Sequence, residues 1–156
     1  MSELFAWISH SALGAWIVSS GYIWPTLESL HFVSLCVRFG SILVIDLRLI
    51  GFYRSACASM VDVLTRFALA AFAVNLATGV LFFAGNTYKY VGNAAFEVKL
   101  LLIVAAGINA WFYKARLSRI VQTEAVTLGT ISVGSLSIFF WIGVIVCGRM
   151  ITFYAP

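Results

Sequence analysis

The chain has 156 residues, 62% of them hydrophobic and 10% charged, where a soluble domain carries about 25% charged residues. With a mean hydropathy of +1.01, this composition predicts one compact integral membrane domain and leaves no room for a separate soluble module. The formal charge of +4 does not indicate a nucleic-acid partner, because the basic residues fall at the ends of apolar segments, where they act as topology determinants.

Residues 4–20 form a short apolar segment rich in Trp and Ser. It has neither a basic leading region nor a small-residue cleavage site, so it is not read as a signal peptide. It is read as an N-terminal hydrophobic or interfacial helix, with Trp7, Trp16, Tyr22 and Trp24 as an aromatic belt. A fifth full span is the alternative.

Four core spans follow. The first runs over about 25–53 and opens at Pro25, a residue suited to the first helical turn. The second covers about 63–83, with Asn75 and Thr78 inside it. A loop at 84–94 is marked by Gly85, Asn86, Gly92 and Asn93. The third span covers about 95–113, with Glu97 and Lys99 near its start and Asn109 deeper. The fourth covers about 126–153. Gly129, Ser132, Gly134, Ser135 and Ser137 give it a small-residue face that permits close helix approach and is the expected surface for a homo-oligomer. The fold class is therefore an all-α membrane protein, a four-helix transmembrane bundle plus the N-terminal helix, multi-pass in a bacterial inner membrane.

Positive charge clusters after span one (Arg48, Arg54, Arg66) and after span three (Lys114, Arg116, Arg119). Both connectors are expected on the cytoplasmic side. The Pro25 end, the 84–94 loop and the C-terminus then lie outside, with His31, Lys99 and Arg149 one to two turns below the outer face.

Span one carries Glu28, His31, Arg38, Asp46 and Arg48. At about 100° per residue, Glu28 and Asp46 share one azimuth, and His31 and Arg38 lie roughly 60–80° to one side. An ionisable group at membrane depth costs about 2.5–3.5 kcal/mol and normally faces protein or a water-filled cavity. His31 is the strongest candidate for chemistry, since a neutral imidazole ligates haem iron or copper and relays protons. Glu28, three residues earlier, is its expected hydrogen-bond acceptor. Arg38 does not deprotonate and needs an acceptor, whether a carboxylate, a backbone carbonyl or an anionic group of a ligand. Lys99 and Arg149 lie at the same level, and Met150 is a soft ligand there, three residues beyond Cys147. Asp46 and Arg48 read as an inner-rim charge cluster. Cys36, Cys57 and Cys147 are scattered, without CxxC or CxxCH spacing, and suggest neither a disulfide framework nor covalent haem. Fingerprints of metalloproteases, serine hydrolases, P-loop and dinucleotide-binding proteins are absent.

Glu28-x-x-His31, Gly40, Asp46-Leu47-Arg48-Leu49-x-Gly51, Phe96-x-x-Lys99-Leu100, Asn109, Trp141 and Gly148-Arg149 together resemble a family of small bacterial multi-span membrane proteins known only as a domain of unknown function. The resemblance spans nearly the whole chain. More distantly, the arrangement is similar to CopD-type copper-resistance proteins and HemJ-type protoporphyrinogen oxidases. The HemJ-type resemblance implies haem b, with a functional histidine on an early helix and a lysine on a later one, matched here by His31 and Lys99. The third span has no histidine, where a second axial ligand would otherwise be sought.

The leading expectation is a membrane redox protein that binds haem b or a quinone in the outer half of the bundle, through His31, Glu28, Arg38, Lys99 and Arg149. It would work in the lipid bilayer with a membrane or periplasmic redox partner. The alternatives are a CopD-type copper-handling or transport protein using His31, Met150 and perhaps Cys147, and a non-catalytic accessory subunit.

Overall fold

A computed structural model describes residues 12–52, 58–117 and 126–154. All regular structure among them is helical. The elements are α1 (Ala12–Ser19), α2 (Ile23–Ile50), α3 (Ala58–Gly85), the short α4 (Thr87–Tyr90), α5 (Ala94–Phe112), a π-helical turn (Tyr113–Leu117) and α6 (Leu128–Met150). Three stretches are long and apolar enough to cross a membrane: Ser59–Gly85, Ala94–Ala115 and Leu128–Met150. The remaining long helix, α2, has 28 residues, about 42 Å at 1.5 Å per residue. Of the N-terminal segment expected over 4–20, residues 12–19 form α1; residues 4–11, with Trp7 and His10, lie outside the described residues, as do Arg54, Cys57 and Arg119.

Helix ends follow local chemistry. Pro25 is the third residue of α2 rather than its first, which is equally harmless because its missing N–H would have no intrahelical acceptor there. The first backbone bond of the helix runs from the Thr26 N–H to the Tyr22 carbonyl at 3.2 Å. At the other end Gly51 adopts φ 102°, which lets the Phe52 N–H reach the Leu47 carbonyl at 2.9 Å in a Schellman closure. Asn93 caps α5 by accepting from the Ala95 N–H at 3.0 Å. Its amide also lies 3.2 Å from the carbonyls of Ile151 and Tyr154, tying the start of α5 to the end of α6. Thr127 and Thr130 form a reciprocal capping box at the start of α6.

The long helices pack in the lateral order α3, α2, α6, α5, and α1 lies against α3 and α2. The buried side of α2 comprises Ser34, Arg38, Ser41, Asp46 and Leu49, so its polar stripe faces the bundle. Leu30, Phe32, Val33 and Val37 face outward. This is the reverse of a water-soluble bundle, and it is the arrangement expected where the surroundings are lipid.

Candidate functional site

The N-terminal half of α2 meets the C-terminal half of α3 through a polar ladder. Asn75, buried on α3, donates through Nδ2 to the His31 carbonyl at 3.0 Å and also to Ser34 Oγ. Ser34 Oγ in turn donates to the His31 carbonyl at 3.0 Å. One turn further along α3, Thr78 Oγ1 lies 2.6 Å from His31 Nδ1 and 2.8 Å from the Val74 carbonyl. A hydroxyl has one hydrogen to donate. In a helix that hydrogen goes to the carbonyl four residues back, so Thr78 Oγ1 accepts from His31 Nδ1–H. A neutral imidazole so held keeps its lone pair on Nε2, an acceptor or ligand atom with no hydrogen bond among the described residues. A hydrogen bond that fixes one ring nitrogen in this way is the usual support for a metal-ligating histidine. The Phe82 ring packs against the imidazole at 5.5 Å between centroids.

Two cations complete the site. Arg38, 4% exposed, lies over Trp141 of α6 at 4.2 Å from the ring centroid and over Phe72 of α3 at 5.6 Å. Its Nε is buried without a hydrogen-bond partner among the described residues. Lys99 of α5 is half-buried and reaches toward α6. A Cβ added at Gly148 would lie 3.4 Å from its Nζ, so glycine leaves the ammonium its space. Arg38 and Lys99 are the charges that act on His31, and Arg38 and Cys147 act on Lys99. The structure thus brings His31, Arg38 and Lys99 from two helices to one region, with α6 supplying Trp141 and Gly148.

Residues 4–154 match a family of unknown function, DUF6644. The chain belongs to this family. No curated protein and no solved structure matches it. Membership accords with the resemblance, over nearly the whole chain, to a family without an assigned activity.

The other expected residues sit apart from this cluster. Glu28 is exposed and accepts from Trp24 Nε1 at 3.1 Å, so the histidine's acceptor is Thr78 instead. Glu28 also acts on Tyr90 of α4; burial first and this carboxylate second push the Tyr90 phenol above its ordinary range. Arg149 is exposed with its guanidinium 5.8 Å from the Phe153 ring centroid, and Met150 beside it is 40% exposed. Among the described residues, no three His, Cys, Asp or Glu side chains converge to hold a metal ion. Thr78, Ser34, Phe72 and Trp141 belong to the site without having been expected there. The Asn75-x-x-Thr78 spacing, which puts two polar groups on one face of an apolar helix, was the available signal.

Proposed function

We propose that this DUF6644 protein is a four-span bacterial inner-membrane protein that holds a redox cofactor, haem b or a quinone, in the outer half of the bundle. One observation carries the reading. A histidine with Nδ1–H engaged and Nε2 free stands within electrostatic reach of two cations, and neither cation forms an ion pair among the described residues. A permanently charged guanidinium in a low-dielectric interior is stabilised by a negative partner. An anionic group of a ligand would supply that partner.

The residues fit haem b in kind. His31 offers one imidazole nitrogen, and Arg38 and Lys99 offer two cations for the two propionates. Haem would contribute a one-electron couple whose potential depends on these axial and charged groups. They fit a quinone equally well, through donation to its carbonyl oxygens. The histidine and lysine of HemJ-type proteins are matched in type and order by His31 and Lys99. Copper ranks second, because two cations beside His31 oppose a metal ion and Met150 is partly turned to the surroundings.

In this reading α2 is the fourth span despite its charges, which its polar face turns inward. The connectors after α2 and after α5 face the cytoplasm, by the positive-inside rule. The test is a visible spectrum, with metal and quinone analysis, of protein extracted in mild detergent. A Soret band lost in His31→Ala, or a co-purifying quinone depleted in Arg38→Gln, is the expected result. Colourless, metal-free and quinone-free protein would refute it.

A further inference from the structure

The long helices around His31 do not close into a ring. α3 packs along α2 and α5 packs along α6, but α3 is not packed along α5 or α6. Two ring contacts bridge the gap. Phe72 of α3 meets Trp141 of α6 at 6.4 Å between centroids, and Phe83 stacks on Phe96 of α5 at 6.1 Å. Phe72 and Phe83 are 11 residues apart, about 16 Å along α3. At about 100° per residue they share a stripe with Leu76 and Gly79, so these two face the space between the ring contacts. A Cβ added at Gly79 meets nothing within 4 Å, and Leu76 is 59% exposed. On α5 the facing lip is Leu100, one turn past Phe96 and 47% exposed. α1 sits on the far side of α3, where a Cβ added at Gly85 would fall 3.2 Å from Ile17 Cγ2.

This window opens onto the polar site. His31 is bonded to Thr78, the residue before Gly79. Arg38 lies against the first ring contact, over both Phe72 and Trp141, and its Nε is buried and unpartnered among the described residues. Lys99 follows Phe96 by three residues, beside the second contact. Cations within and apolar lips without are complementary to a molecule with an electronegative head and a hydrocarbon tail. Both lips belong to stretches long and apolar enough to cross a membrane, Ser59–Gly85 and Ala94–Ala115, so whatever uses the window travels through hydrocarbon. Carrying an ionised carboxylate through hydrocarbon is strongly unfavourable, which disfavours haem with its propionates. A quinone travels uncharged, and its carbonyl oxygens, the negative ends of two dipoles, accept from a guanidinium and an ammonium.

We propose that the site is loaded sideways from the bilayer, through the window between α3 and α5, and that its occupant is a lipid-soluble quinone. The head oxygens meet Arg38 and Lys99, and the tail leaves past Leu76, Gly79 and Leu100. This inference rests on the cofactor reading and chooses the ligand class within it.

Photolabelling of the full chain in phosphatidylcholine vesicles tests it. The probe is a benzoquinone whose long isoprenoid tail carries a diazirine, and mass spectrometry maps the labelled residues. Labels should concentrate on Leu76, Leu100 and their neighbours, and should fall by about tenfold in Gly79→Phe, whose ring fills the window. Arg38→Gln should lower them similarly, because the head loses its donor. Gly40→Phe, on α2 where an added Cβ also meets nothing within 4 Å, should label as the parent chain does. Labels spread evenly over the outward faces, or unchanged in Gly79→Phe, overturn the proposal, and so does a chain that binds haem but no quinone. Should Gly79→Phe fail to fold, the label map of the parent chain decides. If the proposal fails while purified protein still holds haem or quinone, the cofactor reading survives; failure of that reading shows instead as colourless, metal-free and quinone-free protein.

Discussion

Gly134→Ala is the sharpest test of how α6 seats on α2. The new methyl group would stand 2.9 Å from the Asp46 backbone oxygen, 3.1 Å from Ile50 Cγ1 and 3.3 Å from Leu49 Cβ. The Ile50 side chain can rotate away. A backbone oxygen and a Cβ cannot, so the helices must separate along this stretch. Overpacking of this kind costs about 1–3 kcal/mol. Alanine recovers up to about 1 kcal/mol through its better helix propensity. A net loss of about 1–2 kcal/mol corresponds to a 5–30-fold fall in the folded-to-unfolded ratio. Equilibrium unfolding in mixed micelles, followed by tryptophan fluorescence, measures it. Gly40→Ala and Gly107→Ala are the controls, since an added Cβ at either meets nothing within 4 Å. If Gly134→Ala unfolds together with these controls, the close α2–α6 contact is wrong.

Two further substitutions probe the polar contacts. Thr78→Val keeps the shape but removes the acceptor for His31 Nδ1–H, and stability in the same assay should fall by about 1–3 kcal/mol. Any bound chromophore should also shift its spectrum as the imidazole loses its fixed tautomer. Asn93→Ala removes both the α5 cap and the tie to the Ile151 and Tyr154 carbonyls, and should cost about 2 kcal/mol. Asn86→Ala, whose side chain makes no capping bond to α4, should cost much less.

The amino-acid sequence by itself determined that the chain is helical and suited to a membrane, because length and apolar composition are local properties. Helices Ile23–Ile50, Ala58–Gly85, Ala94–Phe112 and Leu128–Met150 lie where spans were expected at 25–53, 63–83, 95–113 and 126–153, and the last three include stretches long and apolar enough to cross a membrane. The boundaries moved where capping decided them, as at Gly51 and at Thr127. The stripe on α2 was also legible, since a 100° step places His31 and Arg38 on one side.

Which groups answer that stripe was decided only by the tertiary structure. Glu28 is near His31 in sequence, yet it pairs with Trp24 one turn back, an i, i+4 contact available within α2 alone. His31 instead finds Thr78, 47 residues away. Of the small residues on α6, Gly134 and Ser137 are buried while Gly129, Ser132 and Ser135 are exposed, a choice fixed by the azimuth at which α6 meets α2. Periodicity says which residues share a face, but it carries no information on which face of another helix they will meet. That is set by the close approach at Gly134, the stacking of Arg38 on Trp141, and the glycine at 148 that leaves Lys99 its space.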